Sequence, residues 1–408
     1  LTPERGGVRK EAVVIGGGPA GLLAARELAR RGVEVKVFEE HPVIGEPNHC
    51  AGILSVEGLQ RLDMKPSPDF IQHEIRDGTI YSPNRTAIRI ASNRTRAYVV
   101  DRATFDRHLA DSAQGEGAEI ETAHRIRELA VQNDQVVGVI GKADAIHADV
   151  VIDGEGAGGS LTRKLGLPHP LEGVLRGVNV EVSGVDLEPH MVEVWLGEKL
   201  APGLFAWVIP TGEGTARCGL ACSGGDAYER LGGFLRRRFG EVERSEPWRW
   251  PVLTGGPISR TFSNGLLLVG DVAGQTKPTT GGGVILGGLC AIDAGRTAAD
   301  ALEEGDCSAS FLGRYERSWR ATLGKEFSSM LAARNVMNRI KDERMDRLLD
   351  AVKQAGLEDT IEGFVDEGDM DMQSGVLRSA LKHPRLLKVL MGSLGKLALM
   401  ELRVFFNL

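Results

Sequence analysis

The chain predicts an α/β protein with a discontinuous dinucleotide-binding domain, an antiparallel β-sheet domain set into it, and a helical C-terminal region. Three observations carry this reading. The run AVVIGGGPAG, residues 12 to 21, places Gly16-x-Gly18-x-x-Gly21 between an apolar strand and an alanine-rich helix. Four later stretches, Val178–Val182, Met191–Leu196, Leu204–Ile209 and Ala216–Ala221, alternate apolar and polar residues with period two. That is the pattern of a sheet with one buried face. From Ser308 onward the pattern becomes helical and strand-poor.

The first motif has a mechanism. Its glycines permit a tight turn, close approach of backbone to a pyrophosphate, and close helix–strand packing, with Ala20 at the start of the helix. The next apolar run, residues 33 to 38, ends at Glu39. A carboxylate about twenty residues beyond the glycines is where the ribose hydroxyls of a dinucleotide are held. Glu40 either touches the adenosine through its backbone or faces solvent. A structural glycine turn accounts for the GxGxxG alone, but not for strand, helix and acidic residue together, so a Rossmann-type unit is expected. Tyr98–Gly117 reads as a strand and then a helix with Phe105, Leu109 and Ala113 on one face. Residues 118–152 read as short strands. The nucleotide domain is expected over 1–60, 98–170 and 256–307, the sheet domain over 61–97 and 171–255, and the helical region over 308–408.

The nucleotide domain resumes in NGLLLVGDVAGQTKPTTGGGVILGG, residues 264 to 288. An apolar strand delivers the Asp271 carboxylate to a turn, where it can accept hydrogen bonds from a polyol. A loop containing Pro278 follows. Gly281, Gly282 and Gly283 carry no Cβ, so a flat ring can lie against bare backbone. The helix beginning near Val284 aims its N-terminal N–H groups and positive dipole end at that ring.

Composition narrows the partners. A net charge of −7 lacks the basic footprint of a nucleic-acid binder. The five cysteines are odd in number and scattered, which suits a reducing cytosol. Cys218 and Cys222 on one strand would stand ~13 Å apart, too far for a disulfide. No Cys/His group has zinc spacing, so no metal is expected. The polar N-terminus predicts no signal peptide, and the start at Leu1 implies a trimmed chain. No uninterrupted apolar window is long enough to span a bilayer. Residues 378–408 hold Arg378, Lys382, Arg385, Lys388, Lys396 and Arg403 against Glu401, with leucines between. Such a segment either lies on an anionic membrane surface, making a cytoplasmic protein peripheral, or docks on the protein's own core or a partner subunit.

With both glycine motifs placed, the chain resembles the FAD-dependent geranylgeranyl reductase family over roughly residues 1–330. That family lies within a flavoprotein group that includes aromatic hydroxylases and halogenases. GQTKPTTGGG, residues 274 to 283, is similar to the archaeal members. In GEPNHCAG, residues 45 to 52, the resemblance makes Cys50, Ala51 and Gly52 flavin neighbours. It makes Arg102 the arginine reaching the cofactor's phosphate and ribityl region, and sets Ile126 where backbone brackets the adenine. Pro202–Pro210 resembles the PxxYxWxFP motif of the isoprenoid pocket, with Phe205 for Tyr and Ile209 for Phe. FxWxIP thus falls between that motif and the WxWxIP of flavin halogenases. On a strand, Phe205, Trp207 and Ile209 point to one face and form an apolar wall. The family's Asp-Gly pair aligns either as Asp153-Gly154 or as Glu155-Gly156.

The resemblance implies FAD and reduction of isolated C=C bonds in geranylgeranyl chains of archaeal ether-lipid precursors. Cys50, or a water it positions, would be the proton source. No second GxGxxG has strand–helix context, so electrons are expected from an external ferredoxin, deazaflavin or NAD(P)H. The same motifs also suit a flavin halogenase or monooxygenase, or a membrane-associated electron-transfer flavoprotein. Each site residue has a plainer reading. Cys50 is a buried small hydrophobe, Phe205 and Trp207 are core, and Lys277 is solvated rather than in contact with the flavin. Sequence neighbours diverge, so no Cys50–His49 pair is expected.

Overall fold

Strand Glu11–Ile15 is apolar on both faces because it runs inside a parallel sheet with cover on each side. In this computed structural model, which describes residues 10–48, 50–142 and 145–394, it pairs with Glu34–Phe38 and with Val150–Asp153. The six-stranded sheet continues through Leu266–Leu268 to Phe262–Ser263 on one side and to Glu119–Glu121 on the other. Only the Phe262–Ser263 edge is antiparallel. Helix Pro19–Arg30 packs against helix Val284–Glu304. They approach closely enough that a Cβ at Gly295 would stand 2.8 Å from the Ala24 carbonyl. Helix Arg102–Gly115 buries Phe105, Leu109 and Ala113 along one face and is capped by Asp101, which accepts from the Thr104 N–H at 2.7 Å.

The period-two stretches form the second sheet. Its order is Glu243–Arg244, Val174–Ser183, Thr215–Cys222, Ala206–Gly212, Met191–Trp195, Asp77–Tyr81, Ala87–Ile90, with Trp248–Leu253 also pairing to Val174–Ser183. It is antiparallel except where Met191–Trp195 meets Asp77–Tyr81 in parallel. Alternation along one strand cannot reveal the direction of a partner from an earlier segment. Ile71–Ile75 does not join this sheet; it pairs with Ala97–Val100, which also holds Ile53–Ser55. One face of the large sheet packs on helix Ala227–Phe239 through Val178, Val180, Ala206 and Val208. The other face, with Trp207, Ile209, Leu175 and Val252, turns toward Ala51, Ile53 and Met370.

Beyond Ser308 the described residues are helical, beginning with Ala309–Met337. Helix Pro384–Leu394 lays Leu386, Val389 and Leu390 against Val336, Met345 and Leu349, so the described part of the basic segment docks on the protein's own core. Lys396, Leu397, Glu401, Leu402 and Arg403 fall outside the described residues, as does His49. Among the described residues no helix is long and apolar enough to cross a membrane, and no group of His, Cys, Asp or Glu could hold a metal ion.

Candidate active site

The two glycine motifs meet across one cleft that opens to solvent. On the first side, Gly16 has φ +95° and a Cβ there would strike the Gly154 carbonyl, while a Cβ at Gly21 would strike the Gly16 carbonyl. These two glycines build the turn. Gly18 faces the opening, where a Cβ would meet nothing within 4 Å, and Ala20 also lines the wall. Gly18 precedes helix Pro19–Arg30 with no side-chain cap, so the helix presents uncapped N–H groups toward the cleft. Glu39 lies at the rim, its Oε2 accepting from the Gly17 N–H at 2.7 Å and its Oε1 from the His41 N–H at 2.9 Å.

On the second side, helix Val284–Glu304 begins as expected, after Gly283 and without a side-chain cap. Gly281, Gly282, Gly283 and Val284 all line the cleft. A Cβ at Gly283 would stand 2.7 Å from Asp271 Oδ1, and one at Gly281 would strike Val252. Asp271 and Arg102 share this wall. Burial pushes the Asp271 carboxyl above its ordinary value, and the Arg102 charge pulls the other way. Arg102 donates to Asp106 from Nε and Nη2, each at 3.0 Å. Burial alone would lower the Arg102 guanidinium, but Asp106 and the Cys50 sulfur, which it also meets, hold it above its ordinary value. Cys50 lines the cleft, and its sulfur accepts from the Gly52 N–H at 3.4 Å.

The side chains of several expected site residues lie elsewhere. Glu40 points away from the cleft to Arg125 at 3.3 Å, because successive side chains leave a strand end in different directions. Ile126 is buried among Val136, Val139 and Leu161, off the cleft wall. Pro278 is buried behind the loop. Ala51 and Gly52 face the sheet rather than the cleft: the Ala51 carbonyl accepts from Arg217 Nη1 at 3.0 Å, and a Cβ at Gly52 would collide with that guanidinium. Phe205, Trp207 and Ile209 share one face of the large sheet, yet Trp207 and Ile209 are buried, and Trp207 Nε1 donates to Asn179 at 2.9 Å. Of that cluster, Trp250 and Ile53 reach the cleft wall. Asp153-Gly154 sits at the strand end with Gly154 in the wall. The Glu155 carboxylate turns to the Ser160 and Leu161 N–H groups. Burial, with Glu155 adding to it, pushes the Asp153 carboxyl well up.

Three polar residues of the site are placed by partners distant in sequence. Lys277 is not solvated; its ammonium pairs with buried Asp371 at 2.6 Å, and both line the cleft. Arg217, 3% exposed in its side chain, joins Glu181 at 2.8 Å to the Cys50 loop. Buried Arg334 donates to the Pro278 carbonyl at 2.9 Å, to Gly203 at 2.9 Å and to Thr279, tying the glycine loop to the large sheet. Burial lowers this guanidinium to about 10. Arg334→Met is expected to strip three carbonyls of a charged donor and to cost about 3 kcal/mol of stability. Urea unfolding measures this; an unchanged midpoint and slope would contradict it.

The cleft suits FAD on its own geometry: bare glycine backbone on two sides, two uncapped helix starts, and an enclosed carboxylate with a nearby arginine. Residues 9–230 match the FAD binding domain family. The chain is 36% identical to digeranylgeranylglycerophospholipid reductase 2 of Methanothermobacter thermautotrophicus, covering 84% of this chain and 91% of that one. It is 31% identical to the digeranylgeranylglycerophospholipid reductase of Methanocaldococcus jannaschii, covering 93% and 96%. The chain belongs to the digeranylgeranylglycerophospholipid reductase family. Its fold matches the crystal structure of a geranylgeranyl bacteriochlorophyll reductase-like protein from Thermoplasma acidophilum, with TM-score 0.83, 25% identity, and 94% and 99% of the two chains covered. A flavin-dependent brominase matches with TM-score 0.67 at 16% identity, over 92% and 98% of the chains, which shows a common fold alone. The cofactor is FAD, and the cleft between the two glycine turns has the lining to take it.

Proposed function

We propose that the chain is an FAD-dependent reductase that hydrogenates isolated C=C bonds of geranylgeranyl chains in archaeal ether-lipid precursors. The observation that carries this reading is the cleft itself, where Cys50 and Arg102 face the Gly281–Gly283 wall, in a chain with relatives of that name. An isolated alkene has no carbonyl to stabilise charge on the adjacent carbon, so one carbon needs a hydride and the other a proton. FAD, when bound and reduced, supplies the hydride. Cys50 supplies the proton from the cleft wall, and Arg102 stabilises the sulfur it leaves behind. Asp271 accepts hydrogen bonds from the cofactor's polyol chain. The apolar face bearing Phe205, Trp207 and Ile209 backs the hydrocarbon through Trp250, which reaches the cleft. Two electrons per bond come from an external ferredoxin, deazaflavin or nicotinamide.

Expression beside a pathway that makes geranylgeranyl lipids tests this directly. Extracted lipids are expected to gain two hydrogens for each bond reduced. Lipids of unchanged mass, in cells where the protein is present with FAD bound, would contradict the proposal.

A further inference from the structure

The helical C-terminal region contributes one buried carboxylate to the cofactor cleft. Asp371 is 1% exposed and lies on the wall that includes Lys277 and Gly281–Gly283. Its Oδ1 accepts from Lys277 Nζ at 2.6 Å, and its Oδ2 accepts from the Ser55 hydroxyl. Ser55 in turn accepts from the Gly58 N–H at 2.9 Å and caps helix Val56–Arg61. A second ion pair, Arg61 to Asp369 at 2.6 Å, fastens the same segment two residues earlier. Asp371 is therefore held from behind, and a buried carboxylate of this kind needs its partner charge in place.

Lys277 belongs to the glycine loop twice over. Its N–H donates to the Gly282 carbonyl at 2.9 Å, and its carbonyl accepts from the Gly281 N–H at 2.7 Å, so its backbone closes the loop. Its side chain then crosses above that loop, where a Cβ on Gly282 would stand 2.9 Å from Lys277 Cε. An ammonium has three donors, of which Asp371 takes one. The charge thus stands at the edge of the bare backbone against which a flat ring would lie.

We propose that Lys277, positioned by Asp371, contacts bound FAD and tunes its reduction potential. The ammonium favours the reduced, negatively charged ring, and the Asp371 carboxylate behind it moderates that preference. This rests on the FAD reading above, and the two variants have opposite expected signs. Lys277→Met removes the cation and is expected to lower the affinity for reduced over oxidised FAD about tenfold. For a two-electron couple that is a potential about 30 mV more negative. Asp371→Asn leaves the cation unbalanced and is expected to move the potential the other way. Lys277→Arg keeps the charge and should stay near the wild-type value.

The experiment is a spectroscopic titration of the FAD-loaded full chain and each variant against reference dyes, with FAD content measured in parallel. General damage to the site would not move two potentials in opposite directions. Shifts of the same sign, or none, with FAD retained would overturn the proposal. If Asp371→Asn fails to fold, the Lys277→Met and Lys277→Arg pair decides it, since equal potentials in those two would equally overturn it. A wild-type protein that binds no FAD would overturn the cofactor reading and this inference with it.

Discussion

Cys50→Ser is expected to retain FAD and to lose alkene reduction by roughly 10²-fold or more, the usual scale for removing a general acid. The thiol lines the cleft beside Arg102. A serine keeps the size of the group and its hydrogen bonds to the Gly52 N–H and to Arg102, but a hydroxyl is a far weaker acid than a thiol. FAD binding should survive because the loop is held by its main chain. Arg217 donates to the Ala51 carbonyl at 3.0 Å, and the Val100 N–H donates to the Gly52 carbonyl at 2.7 Å. The measurement is the single-turnover rate at which the alkene oxidises the reduced protein. An unchanged rate would remove Cys50 from the proton-transfer step, and loss of FAD would show the loop to be structural instead.

Asp271→Ala is expected to weaken FAD binding by about 1.5–3 kcal/mol, the range for hydrogen bonds to a charged group. That corresponds to roughly a 10- to 150-fold rise in Kd. The same carboxylate gives a pH signature. Burial raises its pKa in the protein without FAD, whereas hydroxyl donors from the cofactor favour the ionised form. Binding should therefore release a proton on the acid side, and affinity should fall as pH drops through the raised pKa. Asp271→Asn should flatten that dependence. Equilibrium titration with FAD across pH reads both effects; an affinity indifferent to Asp271 and to pH would contradict the assignment.

How far the site can be read in sequence depends on how local each interaction is. Gly16, Gly18 and Gly21 are legible because strand, turn and helix are consecutive, and the start of the helix at Val284 follows from the glycines just before it. The shared face of Phe205, Trp207 and Ile209 is equally legible, since a strand's period of two is a local property. Core is the plainer sequence reading of Trp207, but what covers Trp207 and Ile209 is not legible, because it comes from Leu175, Val252 and the small strands near Ala51. Lys277 looks like a solvated lysine in sequence because its counter-charge, Asp371, lies 94 residues away in a helical region that carries no nucleotide motif. Arg217 and Ala51 are 166 residues apart, so the tie between the large sheet and the Cys50 loop leaves no motif either. The Glu40 side chain leaves the cleft for Arg125 because adjacency to a site residue fixes a position along the chain and not the direction of a side chain, whereas Ile126 rests on the family resemblance alone and its side chain packs among Val136, Val139 and Leu161. A signal that could point to the partner of Lys277 is present in the segment GDMDMQS, residues 368 to 374, where two acids alternate with methionines in an otherwise amphipathic helical region.

Transfer of a hydride and a proton from this cleft to an isolated alkene needs no oxygen. The direct measurement mixes chemically reduced, FAD-loaded protein with a geranylgeranyl lipid under strict exclusion of oxygen, following the flavin spectrum and the lipid mass together. The oxidised flavin spectrum is expected to return at the rate at which the lipid gains two hydrogens. Reoxidation only on admission of oxygen, with a product that carries oxygen or halogen, would contradict it.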